Sequence, residues 1–272
     1  MSAELLGRGD TPFGSEVWEF IDKTVLSAAS QNLAGRKLLH TEGPYGIDLK
    51  SVPGRDKEVD DESGESLTVS QAASSALPLL SAKFSISARD IEQYTKSGIA
   101  FDTNEIISGT LAITVKEDML IFEGSKSLGI LGLLNTPGTQ KSKLKPWVKI
   151  GDAAESIIEA VDKLDSAGFH GPYSLALSAP LYNSLFKRYP QEEVLEIEHL
   201  KPLITGGIIK ASSLKNSGVL INTGRQYASI VLGQDLATGF EGPSGRDFVF
   251  TLSESVSLRV VIPGAVCVMT QG

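Results

Sequence analysis

Apolar residues recur along the chain with two different periods. Trp18, Ile21, Val25, Ala28 and Ala29 return every three to four residues, which puts them on one face of a helix and predicts an amphipathic N-terminal element. Ile107, Leu111, Val115, Met119 and Phe122 mark one face of a second, long helix. Ala154, Ile157, Ile158, Val161 and Leu164 mark a third, closing at Gly168. Lys83 to Ala88 alternates instead, with Phe84, Ile86 and Ala88 on one side, as a half-buried strand does. Tyr173 to Leu177 reads as a short strand, and Ser178 with Pro180 behind it predicts a capped helix over Leu181, Leu185 and Phe186. Phe248, Phe250 and Leu252, then Val256, Leu258 and Val260, alternate along the C-terminal part and predict returning strands through Met269.

Polar and turn-rich stretches separate these elements. Residues 1–15 form a short polar arm whose Arg8-Gly9-Asp10 reads as a flexible turn. The first helix ends in a basic hinge, Gly35-Arg36-Lys37, followed by Leu38, Leu39, the turn pair Gly43-Pro44 and Gly46. Between Arg55 and Glu65 lie Asp56, Glu58, Asp60, Asp61, Glu62 and Glu65 against Arg55 and Lys57, the composition of a solvated loop or hairpin tip. Asn135 to Trp147, with Pro137, Gly138 and Pro146, is a candidate domain boundary.

Composition narrows the function classes. A chain of 272 residues with 41% apolar content can bury a substantial core. No apolar run has the length of a membrane span, and MSAELLGRGD carries no charged-then-apolar signal, so the sequence predicts a cytoplasmic protein without membrane partners. The net charge of −8 argues against a nucleic-acid partner, because neutralising phosphates needs clustered Lys and Arg. Cys267 sits in an apolar run and reads as a small buried hydrophobe. His40, His170 and His199 are scattered, without the i, i+4 spacing of a metal pair, and no phosphate-cradling or nucleophile-elbow motif is present. Glu192, Glu193, Glu196 and Glu198 are dense, but read as a solvated helix face. The expectation is neither an enzyme nor a metal site.

Several of these stretches together resemble the encapsulin shell proteins. Trp18, Ile21 and Asp22, then Gly35-Arg36-Lys37 and Glu42-Gly43-Pro44-Tyr45-Gly46, are similar to the family's N-terminal signature. Glu117 to Gly124, Gly132-Leu133-Leu134, Gly171-Pro172-Tyr173 and Leu232-Gly233-Gln234-Asp235-Leu236 follow in matching order. The resemblance implies an α+β chain with the Hong Kong 97-type phage capsid fold. Its parts would be an N-terminal arm and helix (1–46), an extended loop laid over a neighbouring subunit (47–78) and a peripheral domain with a spine helix (79–130). An axial domain (131–224) and peripheral return strands (225–272) complete it.

The same resemblance implies a self-assembling icosahedral shell of about 60 copies or a multiple. It would enclose a ferritin-like protein or a dye-decolourising peroxidase bearing a C-terminal targeting peptide, with roles in iron storage or oxidative-stress defence. Leu33, Arg36, Leu39, His40, Ile230 and Leu232 map to the peptide groove, with Arg36 able to pair a carboxylate or carbonyl. Lys187, Arg188, Tyr189, Gln191, Glu192 and Glu193 map to the five-fold pore. Some relatives stack a flavin on a Trp at the position of Arg89; with Tyr94 the nearest aromatic, no cofactor is expected. The alternatives are a prophage major capsid protein, although such chains commonly begin with a long scaffolding segment, and a secreted bacteriocin or enzyme.

Overall fold

The computed structural model describes residues 5–54, 56–60, 68–189 and 194–271. A 3₁₀ turn at Arg8–Asp10 leads into helices α1 (Ser15–Asn32) and α2 (Ala34–Leu38). Strands β1 (His40–Glu42), β2 (Ser51–Pro53), β3 (Lys57–Asp60), β4 (Thr68–Gln71), β5 (Ser74–Ala76) and β6 (Leu79–Ser87) follow. Helices α3 (Ala88–Ser97) and α4 (Asn104–Phe122) precede β7 (Gly124–Ser125), β8 (Ile130–Leu131) and β9 (Gln140–Lys143). Next come α5 (Asp152–Ser166), β10 (Tyr173–Leu177), α6 (Ala179–Ser184), α7 (Glu196–Leu200), β11 (Ile208–Lys210) and β12 (Ser217–Asn222). The chain closes with β13 (Ala228–Leu232), β14 (Ala237–Ser244), β15 (Asp247–Val260) and β16 (Val266–Thr270).

Two five-stranded sheets organise these elements. The first runs β1-β13-β15-β14, with β6 antiparallel to the first half of β15, and the second runs β11-β10-β12-β16-β9. Trp18, Ile21 and Val25 of α1 pack with Phe84 of β6, Phe250 of β15 and Ile106 and Ile113 of α4. The Phe84 and Phe250 rings stack at 5.1 Å. Each such side chain contributes roughly 1.5–3 kcal/mol of burial. A separate apolar cluster joins the sheets through Ile121, Phe122, Leu133, Ile221, Ile230, Val256 and Val268. Strand β2 pairs with β5 and β3 with β4, both antiparallel.

The structure departs from the sequence reading in four places. The buried stripe of α4 is Ile106, Thr110, Ile113, Thr114, Glu117 and Ile121, whereas Val115 of the expected face is 52% exposed. Period counting follows apolar residues, and here polar ones turn inward: the Thr110 and Thr114 hydroxyls donate to the carbonyls of Ile106 and Leu111, and Glu117 has an ionic partner. Strand β16 does not return to the first sheet but pairs with β12 and β9 in the second. Ser178 precedes α6 as expected, yet its hydroxyl makes no capping bond. Glu196 is buried, because its carboxylate accepts the amides of Gly151 and Ala154 at the start of α5, where helix N–H groups lack partners.

Candidate functional site

Two of the sequence signatures meet on the first sheet. The Tyr45 amide donates to the Leu232 carbonyl at 3.0 Å and the Gly46 amide to the Gly233 carbonyl at 2.7 Å, so Glu42–Gly46 lies against Leu232–Leu236. Gln234 is held from below, its amide on Ser255 Oγ and its side chain on Ser253 Oγ, both at 2.7 Å. That anchoring presents Asp235 and Leu236 toward the C-terminal half of α1. Between them runs a groove of about 690 Å³, walled by Val25, Leu26, Ala29 and Leu33 on one side and Leu236 and Ala237 on the other. It continues into a smaller cavity of about 390 Å³ beside Leu5, Leu6, Pro44, Tyr45 and Ile47.

Arg36 lines the groove, and the sequence builds its position with care. Gly35 lies against α4, where a Cβ would come within 2.6 Å of Ile121 Cδ1, so a larger residue would have to push that buried side chain aside. Asp118 of α4 accepts the Ala34 and Gly35 amides at 3.1 and 2.8 Å and thereby fixes the start of α2. Burial raises Asp118 to about 6, against the lowering effect of those two amides. The Arg36 guanidinium grips Glu117 with Nε and Nη2 at 2.9 and 3.1 Å, donates through Nη1 to Asp235 at 2.8 Å, and reaches Glu254 through Nη2.

The Glu117 and Glu254 side chains are 0% and 1% exposed, so one cation serves two carboxyls out of water and one at the rim. Burial pulls the guanidinium down, but the pairing with Glu117 and Glu254 outweighs it and holds Arg36 firmly charged. Glu254 is pushed up to about 9 by burial, then by the neighbouring Glu117, with Arg36 opposing. It thus holds a proton more tightly than a free glutamate.

The loop expected at the pore is only partly described. Lys187 donates to the carbonyls of Trp147 and Val148, Arg188 is exposed, and Tyr189 meets the His199 ring edge-on at 4.9 Å. Gln191, Glu192 and Glu193 lie outside the described residues.

The profile of the Linocin_M18 family, described as encapsulating protein for peroxidase, matches residues 3–257. The chain belongs to this family, the encapsulins. It is 30% identical over 276 residues to the type 1 encapsulin shell protein EncA of Myxococcus xanthus, covering 98% of this chain and 96% of that one. A ferritin-like-encapsulin shell fusion protein of Pyrococcus furiosus is 29% identical over 195 residues, 71% of this chain and 52% of the fusion. Among solved structures, a virus-like particle from Pyrococcus furiosus superposes with a TM-score of 0.75 at 23% identity, covering 93% and 99% of the two chains. The capsid of Myoviridae phage XM1 superposes at 0.59 with 13% identity, covering 87% and 90%. The fold is the α+β Hong Kong 97-type capsid fold, and the chain is an encapsulin shell protein. The prophage alternative has the weaker support, since the phage match is one of fold at low identity.

For an encapsulin, the residues expected at the cargo groove separate into two groups. Leu33 and Arg36 line it. Leu39, Ile230 and Leu232 are buried in the cluster between the sheets, and exposed His40 sits on the edge strand β1 outside both cavities. Sequence reasoning missed Leu26, Leu236, Leu6 and Arg8. A leucine off the apolar face of α1 was the available signal for Leu26, which is 70% exposed. Arg89 is exposed, and the Tyr94 ring packs on Phe20 and Phe101 at 5.0 and 5.6 Å. Burial raises the Cys267 thiol to about 11. Among the described residues no helix is long and apolar enough to cross a membrane, and no three His, Cys, Asp or Glu could hold a metal.

Proposed function

We propose that about 60 copies of the chain, or a multiple, close into a hollow cytoplasmic shell that encloses a cargo enzyme. The groove beside α1 faces its lumen and captures an extended peptide at the cargo's C-terminus. The observation that carries this reading is the groove's chemistry: leucines and alanines line its two walls, and the Arg36 guanidinium is already spent on Glu117, Asp235 and Glu254. Arg36 thus shapes the floor instead of pairing a cargo carboxylate, and affinity comes from apolar side chains seated between α1 and Leu236.

A peroxidase cargo accords with the family description, and a ferritin-like cargo with the fused relative, giving roles in oxidative-stress defence or iron storage. Small molecules would enter through a pore at whose rim Arg188, repeated by symmetry, forms a ring of positive charge. No flavin takes part. The test is electron microscopy and native mass of the chain expressed alone, and of particles isolated from the source organism. Uniform hollow spheres with a co-purifying oxidase or peroxidase are expected. A monomer, or particles isolated without any cargo protein, would overturn the reading.

A further inference from the structure

We propose that the N-terminal arm, residues 5–10, is a fixed wall of the cargo groove and that Arg8 is the positioning residue that clamps it there. The inference rests on the cargo-docking reading of that groove. The stretch Arg8-Gly9-Asp10, expected as a flexible turn, is tied down by one side chain that makes contacts with both α1 and β14. Arg8 grips Asp22 of α1 with both terminal nitrogens, at 2.7 and 2.6 Å, and lies over the Trp18 ring with its Cζ 4.3 Å from the centroid. Its Nε donates to the Thr238 carbonyl of β14 at 2.8 Å. Bidentate charge-assisted bonding and a cation over indole are among the stronger surface contacts available to arginine.

The clamp fixes the arm along a sheet edge. The Phe240 amide donates to the Leu6 carbonyl at 2.7 Å, and Thr238 and Phe240 are alternate residues whose backbone groups face the same way, out from β15. The approach is close enough that a Cβ on Gly7, at φ 61, would lie 2.7 Å from the Phe240 carbonyl. Thus the arm covers the outer edge of β14. Leu6 and Arg8 then line the larger groove together with Leu26, and Leu5 and Leu6 line the adjoining cavity. A wall fixed before binding spares the extended peptide the cost of ordering it.

The test co-expresses the shell with a fluorescent reporter that carries the C-terminal segment of the protein co-purifying with native shells. Reporter per shell subunit is measured in purified particles, and hydrogen exchange of the Phe240 amide is followed in the same particles. Arg8→Ala is expected to lower loading about tenfold and to speed Phe240 exchange, with particle diameter unchanged. Asp22→Asn, which keeps the side-chain shape, is the second variant should Arg8→Ala fail to assemble, with about a threefold loss expected. Leu26→Glu on the facing wall reports on the groove itself. Loading lost with Leu26→Glu but retained in both clamp variants overturns the arm's role and leaves the groove reading standing. Loading that rises when the clamp is cut makes the arm a plug, which also overturns the proposal. Loading indifferent to Leu26→Glu as well removes the groove reading beneath it.

Discussion

Around the second sheet, α5 buries Ile157, Val161 and Leu164 with Leu175, Leu177, Leu220 and Met269. Its buried carboxyl, Glu196, accepts two helix-end amides, and among the described residues no cation pairs with it. At similar depth beside the first sheet, Arg36 meets Glu117 and Glu254, with Asp118 on the adjacent turn. One region is held by dispersion and exclusion of water. The other adds to its apolar core a charge network that links α2, α4, β15 and the turn after β13. A buried network of this kind is costly to desolvate, and its return is geometric: it fixes the floor of a groove that must stay open and shaped.

The contrast predicts unequal responses to truncation. Arg36→Ala should be the most damaging change, at about 3–5 kcal/mol, because it leaves Glu117 buried without its cation and Glu254 without its hydrogen-bond donor. Denaturant unfolding, or the yield of assembled particles, measures it. A loss below about 1 kcal/mol would mean that the network relaxes into water. Leu164→Ala in the second region should cost about 2–4 kcal/mol through its cavity, and the same unfolding experiment should show no dependence on pH for that loss.

The third prediction separates the regions by pH. Glu254 is raised from 4.5 to about 9, so the folded chain keeps a proton that the unfolded chain releases. Its contribution to stability is full below pH 4.5, declines as pH rises, and is gone above about 9. Melting temperature followed over that window should fall less in Glu254→Gln than in the parent chain; identical slopes would place the retained proton on another group. The smallest effect belongs to Leu26→Ala, whose side chain is largely in water and should change stability by no more than about 0.5 kcal/mol. Reporter loading should nevertheless drop in that variant, and unchanged loading would argue that the apolar wall of α1 is not the docking face.

Much of the groove was legible as motifs before its geometry was known. Gly35-Arg36-Lys37 and Glu42–Gly46 lie nearly 200 residues before Leu232–Leu236, yet the parallel pairing of β1 with β13 brings them beside it. Their contacts explain the motifs: glycine where α2 touches Ile121, and Gln234 and Asp235 where a turn must be anchored and Arg36 answered. Less legible was the role of each member. Leu39, Ile230 and Leu232 carry the same apolar label as Leu33, and only their packing partners separate core from groove wall. The arm was not legible at all, since a short polar stretch with glycines reads as flexible until Asp22, Trp18 and Thr238 are found around its arginine.

By itself the amino-acid order determined the elements, the family and hence the fold, because local period, turn residues and motif order are properties of neighbours along the chain. The inward face of α4, the second-sheet place of β16, the saturation of Arg36 and the clamped arm were decided by the tertiary structure. Each depends on a partner far away in sequence: a polar residue can turn inward, and a basic one can be spent, only when folding brings the group that satisfies it within hydrogen-bonding distance.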